Sequence, residues 1–229
     1  MFTLDHVVPW GRSFDEYRRM FALATADLHG RILGCGDGPA SFNAEATRQG
    51  HRVVSCDPLY LFDPRQIETR IAETYDEVIE QTHRNVDGFV WGHDFPDVDA
   101  LGAHRMAAMR AFLADYDAGR TAGRYLPAAL PSLPFQSRTF DLALCSHFLF
   151  LYSAQLGEAF HRDAMRELVR VAREVRVFPL VALGGTPSPF VETCAADLTA
   201  AGCAVMIERV PYEFQRGANA MLRVTVPVA

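Results

Sequence analysis

Residues 31–57, RILGCGDGPASFNAEATRQGHRVVSCD, read as strand, glycine-rich turn, helix, turn and strand, and they end on an acid. Ile32 and Leu33 carry a short apolar run into Gly34, Cys35, Gly36 and Gly38. A backbone without side chains turns sharply there and approaches a ligand closely. The helix that follows aims its free N–H groups and the positive end of its dipole at the same place. Gly50 closes that helix, with Arg48 in its last turn. The β-branched pair Val53 and Val54 opens a second strand, and Asp57 follows where this strand stops. If the two strands are parallel neighbours, the Asp57 carboxylate lies beside the glycine turn, where it accepts two hydrogen bonds from a ribose diol.

Toward the N-terminus, Ser13 and Glu16 have capping-box spacing ahead of a helix over 13–28, which His29-Gly30 ends. Two readings of its entry stay open. Trp10 and Tyr17 pack the helix, or they form a lid over the glycine turn in which Arg12 holds an acidic group of the ligand. Toward the C-terminus, Pro58 breaks the strand, and Leu59, Tyr60 and Leu61 either wall an aromatic base or cover the sheet edge. Helical spacing then predicts helices over 64–84 and 98–117, joined by the aromatic tip NVDGFVWGHDFPD. A connection of that length reads as a helical insertion over 61–122. Its tip faces the substrate or forms a small core of its own. His93, on the tip, is read as a surface residue and not as a metal ligand.

From Gly123 the α/β alternation returns. RYLPAAL, FDLALCS, VRVFPLVAL, CAVMIERV and MLRVTVPV are strand candidates, with helices over 155–172 and 191–201. FDLALCS is a near-continuous apolar run, so it fits a strand buried on both faces. The order predicts one α/β domain, with a doubly wound, mostly parallel Rossmann-like sheet and ligands outside the strand carboxyl ends.

Composition narrows the classes. With 49% hydrophobic residues the chain should fold as an ordinary globule, and a net charge of −6 argues against a general grip on nucleic acid. Five cysteines, an odd number without C-x-x-C spacing, argue against a disulfide framework or a zinc site and fit a reducing cytoplasm. The N-terminal MFTLDHVVPW, with Asp5 and no basic stretch, is not read as a signal peptide, and no apolar run reaches the length of a membrane span.

Glycine spacing alone is a weak signal. A nicotinamide fingerprint would need glycine at 39 or 41, where Pro39 and Ser41 stand, and a phosphate-cradling G-x-x-x-x-G-K-[ST] is absent. Residues 31–57 instead resemble the glycine-rich motif of the class I S-adenosylmethionine-dependent methyltransferases, hydrophobic-hydrophobic-Asp-x-Gly-x-Gly-x-Gly. LPF at 133–135 and TFDLALCSHFLFLY at 139–152 resemble the fourth-strand region of the same family. The likeness covers most of the chain outside 61–122. It implies a seven-stranded sheet with an antiparallel last strand and S-adenosyl-L-methionine as methyl donor. It implies that Gly36 and Gly38 border the methionine part of the cofactor, with Gly34 and Cys35 in the same turn. By the same resemblance Asp57 takes the ribose hydroxyls, and Leu59, next to Pro58, flanks adenine. Leu130 and Ser132 meet the adenine edge, and Ser146 and His147 sit beside the sulfonium and the transferred methyl. Two departures stand out. The family's spacing, counted back from Asp57, puts its first acid on Gly34, and Ala129 stands where many members carry an adenine-binding Asp. Backbone groups, Arg12 or water are expected to compensate.

Methyl transfer rests mainly on placement in line with the methyl group, and a hydroxyl acceptor also wants a general base. His147, ending a central strand, is the candidate base, with a purely structural His as the alternative. Cys145 either shares a strand face with His147 as a nucleophile pair or only packs. Tyr212, Glu213, Phe214 and Gln215 either line an acceptor pocket or form a surface turn. The fourth strand is followed by Ser146-His147-Phe148-Leu149 and not by an N-P-P-Y motif. A small-molecule acceptor is therefore expected, with no nucleic acid, no membrane and no metal. The rival reading is a non-catalytic module that binds S-adenosylmethionine or S-adenosylhomocysteine as sensor or scaffold. The sequence does not reveal the oligomeric state.

Overall fold

The computed structural model describes residues 4, 7–92 and 94–227, so Asp5 and His93 lie outside the described residues. Seven strands form one sheet: β1 (Arg31–Cys35), β2 (Arg52–Cys56), β3 (Tyr125–Leu126), β4 (Phe140–Ser146), β5 (Ala172–Phe178), β6 (Ala204–Arg209) and β7 (Ala220–Thr225). Their order is β3-β2-β1-β4-β5-β7-β6. Strands β1 to β5 run parallel, and β7 is antiparallel to both β5 and β6. The chain leaves β1 for one side of the sheet and later returns to its other side with β4. That switch point is where an open sheet parts its loops and admits a ligand. Cys35 stands opposite both Cys56 and Cys145 in register, so β1, β2 and β4 end level. Gly36 and Asp57, which follow β1 and β2, and Ser146, the last residue of β4, therefore share one rim.

Among the described residues six α-helices flank the sheet: α1 (Phe14–Met20), α2 (Phe42–Arg48), α3 (Pro64–Arg84), α4 (Val98–Thr121), α5 (Glu158–Val171) and α6 (Val191–Ala200). Alternation on β4 explains its apolar run. Leu142 and Leu144 pack with Phe42 and Tyr17 on one face, and Ala143 and Cys145 pack with Met165 and Leu168 on the other. Burial of side chains this size on both faces is the main stabilising contribution of such a sheet, at about 25 cal/mol per Å² of apolar surface.

The helix read over 13–28 is shorter than expected. The capping box of Ser13 and Glu16 forms, but α1 stops at Met20. The Leu23 N–H donates to the Arg18 carbonyl at 2.8 Å, and Ala22 takes a φ of 45°, a left-handed closure that brings both Phe21 and Leu23 into the core. A short 3₁₀ turn, Asp27–His29, then leads into β1. Strand β5 begins earlier than read, at Ala172, and ends at Phe178 before Pro179. The segment read as an insertion divides in two. Helix α4 packs on α2 and β3 and so serves as the crossover from β2 to β3. Helix α3 and the tip lie outside that crossover. Asp63, Pro64 and Gln66 start α3 with a second capping box, and Tyr60, Phe112, Tyr116 and Tyr125 form the core that joins the α3–α4 pair to the sheet.

A candidate cofactor site at the strand carboxyl ends

A cavity of about 620 Å³ opens above the level ends of β1, β2 and β4. Its wall includes Arg12, Cys35, Gly36, Gly38, Asp57, Pro58, Leu59, Leu130, Ser146 and His147, ten of the residues singled out from the sequence. Gly34 and Ser132 are not part of it. Ser132 is exposed, and its N–H closes a turn onto the Ala129 carbonyl, so Ala129, Leu130 and Leu133 form this side of the wall instead. Gly34 lies beneath, for a reason the sequence did not disclose.

That reason is Asp37. A Cβ on Gly34 would stand 1.8 Å from Asp37 Oδ2. The carboxylate of Asp37 thus occupies the space a side chain at 34 would fill. It accepts hydrogen bonds from the Tyr17 hydroxyl at 2.8 Å and the Ser55 hydroxyl at 2.6 Å. Burial pushes the Asp37 carboxyl up to about 6, against the pull of those two hydrogen bonds, and nearby Asp57 adds to the rise. The acid expected at 34 is absent from the strand, yet a carboxylate stands at the same point of the cavity floor. The one trace of it in the sequence is an acid inside a glycine turn, three residues after the position that lacks one; that it fills the vacancy is a matter of packing.

Asp57 holds the turn from the neighbouring strand. Its Oδ2 accepts from the Gly38 N–H at 2.9 Å and its Oδ1 from the Leu59 N–H at 2.8 Å. Each oxygen keeps a further lone pair for a ligand hydroxyl. Burial raises its pKa, and the two N–H groups oppose the rise. Gly36 has φ 67°, and a Cβ there would meet the Phe148 ring at 2.9 Å. Only glycine reconciles that turn with that neighbour. The Tyr60 hydroxyl donates to the Gly38 carbonyl at 2.8 Å, so the 3₁₀ turn after β2 braces the glycine turn. Leu59 lines the cavity, whereas Leu61 points to solvent and is 69% exposed.

Arg12 adds a cation to the cavity wall, with the Arg105–Glu16 pair buried nearby. Glu16, with no exposed surface, accepts from Arg105 at 2.5 Å, the Tyr212 hydroxyl at 2.8 Å and the Ser13 N–H at 3.0 Å. Burial alone would push the Glu16 carboxyl up, but the Arg105 charge and the hydrogen bonds hold it well below the usual carboxylate range. Glu16 is thereby committed to Arg105. Arg12 donates from Nη1 to the Trp10 carbonyl, and its Nε is buried without a partner. Burial, then the charge of Arg105, bring Arg12 down to about 10. Such an orphaned donor on a cavity wall suits an anionic group of a ligand. Trp10 also lines the cavity, while Tyr17 is fully buried and stacks on Phe42 with centroids 4.5 Å apart.

His147 follows β4 with φ 49°, a left-handed conformation held by its N–H bond to the Phe178 carbonyl at 2.7 Å. Its Nδ1 is 3.0 Å from the Ser146 hydroxyl. Burial, and then the charges of Arg12 and Arg105, hold the imidazole well below its usual pKa, so it is neutral at pH 7. The expected strand alternation between Cys145 and His147 fails, because the backbone has already turned. Cys145 packs in the core, and burial pushes its thiol up to about 12. Tyr212 is a buried partner of Glu16, neither surface turn nor cavity wall. The aromatic tip is no separate core: Phe89, Trp91 and Phe95 pack around Phe214 from the β6–β7 loop. Among the described residues no group of His, Cys, Asp and Glu is placed to hold a metal ion, and no helix is long and apolar enough to cross a membrane.

Strand order, the antiparallel β7 and a glycine turn at the switch point together form the Rossmann-like architecture that the class I methyltransferase resemblance implied. The chain is 33% identical over 222 residues to the uncharacterized protein MJ0045 of Methanocaldococcus jannaschii, covering 96% of each, and it belongs to the same family. No protein-family model matches it. Solved structures with similar chain paths include the mitomycin 7-O-methyltransferase MmcR, 13% identical with a TM-score of 0.49 over 93% of this chain and 54% of that one. The chain thus spans about half the length of MmcR. A putative RNA methyltransferase, PH1948 from Pyrococcus horikoshii, is 12% identical with a TM-score of 0.48 over 93% of this chain and 85% of that one. These likenesses are distant and say nothing of the acceptor or activity here.

Proposed function

We propose that the protein binds S-adenosyl-L-methionine in the 620 Å³ cavity and transfers its methyl group to a small-molecule acceptor. The observation that carries this reading is the convergence of the glycine turn and the Asp57 carboxylate on one rim, with both Asp57 oxygens already organised by backbone N–H groups. The donor set fits that cofactor. Asp57 faces a ribose diol, Leu59, Pro58 and Leu130 offer an apolar slot for adenine, and Gly36, Gly38 and Cys35 leave room for the methionine chain. Asp37 supplies a negative charge for the ammonium, and Arg12 supplies a donor for the carboxylate. Ser146 and His147 stand at the end of β4, beside the place for the reacting methyl.

When bound, the cofactor supplies an electrophilic methyl on a sulfonium. The chain's own residues exclude water, align the acceptor and handle its proton. His147 is neutral and takes up a proton where a hydroxyl is methylated while Ser146 holds Nδ1, although its lowered pKa makes it a weaker base than an ordinary imidazole. Asp37 also weakens the case for a non-catalytic sensor, which rested on the acid missing at 34. Calorimetric titration with S-adenosylhomocysteine tests the cofactor reading, with binding expected and no heat at millimolar ligand counting against it. Label transfer from methyl-labelled S-adenosylmethionine to a cell-extract acceptor separates enzyme from sensor.

A further inference from the structure

A second, inner chamber of about 90 Å³ lies behind the neck formed by Val8, Trp10, Arg12 and His147, residues that also line the outer cavity. A molecule in the outer cavity and a molecule in the inner chamber therefore meet at His147. The inner walls are apolar and largely aromatic, with Leu101, Val78 and Leu151 from the sides and Phe89, Phe214 and Tyr152 as ring faces. Phe89 and Phe214 stack on each other at 4.8 Å, so the tip and the β6–β7 loop together close this end of the chamber.

The Gln215 Nε2 and the Thr82 hydroxyl are already committed, while the Tyr152 hydroxyl accepts from the Val8 N–H at 3.4 Å. The Gln215 amide donates to the Ala182 and Leu183 carbonyls, and the Thr82 hydroxyl donates to the Val78 carbonyl. What remains lies at the neck. Arg12 uses one donor on Trp10 and keeps a buried, unpartnered Nε. A guanidinium has five N–H donors, so a cofactor carboxylate leaves some over. Among the described residues Arg12 has no carboxylate partner, since Glu16 is taken by Arg105. A neck with this charge favours an oxyanion and disfavours an ammonium. Size sets the other limit. A cavity of about 150 Å³ holds benzene. A chamber of 90 Å³ therefore takes most of one ring, with the ring's polar edge in the neck.

On the reading that S-adenosylmethionine occupies the outer cavity, we propose that the methyl acceptor is a single-ring aromatic oxyanion, its ring in the inner chamber and its oxygen at the Arg12–His147 neck. The acceptor oxygen forms a bond to the methyl carbon as the carbon–sulfur bond breaks, and the electron pair stays on sulfur, which becomes a neutral thioether. A phenol gives its proton to His147 and then to water, whereas a carboxylate arrives without one.

The test uses the full chain with methyl-labelled S-adenosylmethionine and five probes: phenol, benzoate, 2-naphthol, 2-naphthoate and benzylamine. Label should enter phenol, benzoate or both at least about tenfold faster than their two-ring analogues or benzylamine. The arm that reacts tells phenolate from carboxylate. Leu101→Phe, which fills the chamber, should cut that transfer at least about tenfold while leaving S-adenosylhomocysteine affinity unchanged. If Leu101→Phe loses affinity through misfolding, Val78→Leu adds a single methylene from another wall and decides the matter. Equal transfer to two-ring probes, transfer unaffected by the filling variants, or no label in either single-ring probe despite S-adenosylhomocysteine binding would each overturn the proposal. Absence of S-adenosylhomocysteine binding would instead sink the cofactor reading beneath it.

Discussion

Gly34→Ala adds one methyl group to a central strand, yet it should be among the most damaging small changes in the molecule. The new Cβ would stand 1.8 Å from Asp37 Oδ2 and 2.5 Å from its Cγ. Neither atom sits on a flexible arm free to yield, because the carboxylate is fixed by Tyr17 at 2.8 Å and Ser55 at 2.6 Å. Asp37 must therefore leave and forfeit both bonds. Hydrogen bonds to a charged group are worth about 1.5–3 kcal/mol each and the overpacked methyl about 1–3 kcal/mol more, while release of the ionised carboxylate from burial returns about 3 kcal/mol, so at pH 7.5 the change should cost about 1–6 kcal/mol. At its upper end that is a large share of the roughly 5–15 kcal/mol that stabilises an ordinary domain. Urea unfolding at pH 7.5 measures it as a shift in midpoint at constant slope. The decisive control is the same substitution in an Asp37→Ala background, where no carboxylate remains to be displaced. There Gly34→Ala should cost less than about 1 kcal/mol, so the two changes should be non-additive. A loss below about 1 kcal/mol in the parent protein, or simple additivity of the two changes, would refute the idea that Asp37 occupies the place of a side chain at 34.

Asp57→Ala removes the acceptor for two backbone N–H groups and the expected ribose ligand, so S-adenosylhomocysteine affinity measured by calorimetry should fall by about 1.5–3 kcal/mol. Asp37 gives a pH signature. Its carboxyl is pushed up to about 6 from an ordinary 3.8, so the folded state holds this proton more tightly than the unfolded chain. Its contribution to stability is full below pH 3.8 and is lost as pH rises through 6. Affinity for the cationic end of the cofactor should run the other way, rising several-fold between pH 5 and 7.5, and the rise should vanish in Asp37→Asn. Arg105→Met leaves Glu16 charged, buried and short of its main partner, and should destabilise by about 3–5 kcal/mol in thermal or urea melts. Adding Glu16→Gln to Arg105→Met should recover part of that loss.

The strands and the cavity rim were legible because they rest on local rules. An apolar run into glycines, a β-branched pair and a terminal acid define β1, β2 and Asp57 with no help from distant parts of the chain. Helix α3 was legible from end to end, since Asp63, Pro64 and Gln66 mark its start and apolar spacing carries it to Arg84. The misses have long-range causes. Helix α1 stops early because Phe21 and Leu23 both need the core, which turns Ala22 left-handed against its own propensity. Cys145 and His147 do not share a face because His147 has already left the strand. Ser132 was placed by family spacing, and its exposure follows from a turn onto Ala129 that spacing does not encode. Asp37 was missed because its role depends on a vacancy at 34, which only the packing of two nearby backbones reveals.

The site carries groups of opposite charge, and this bears on what the cavity selects. Asp37, Asp57 and Arg12 all line it, while Arg105 is paired with Glu16. Burial lifts both acids, so each gains when a cation enters, and the orphaned Arg12 gains when an anion does. A ligand with only one sign of charge would satisfy one kind of group and leave the other as it was. A ligand with an ammonium and a carboxylate on one short chain answers both at once, in a cavity whose floor admits close approach only because positions 34 and 36 carry no side chains. The same argument runs against a nicotinamide or a simple nucleotide, whose phosphates would place negative charge beside Asp37 and Asp57.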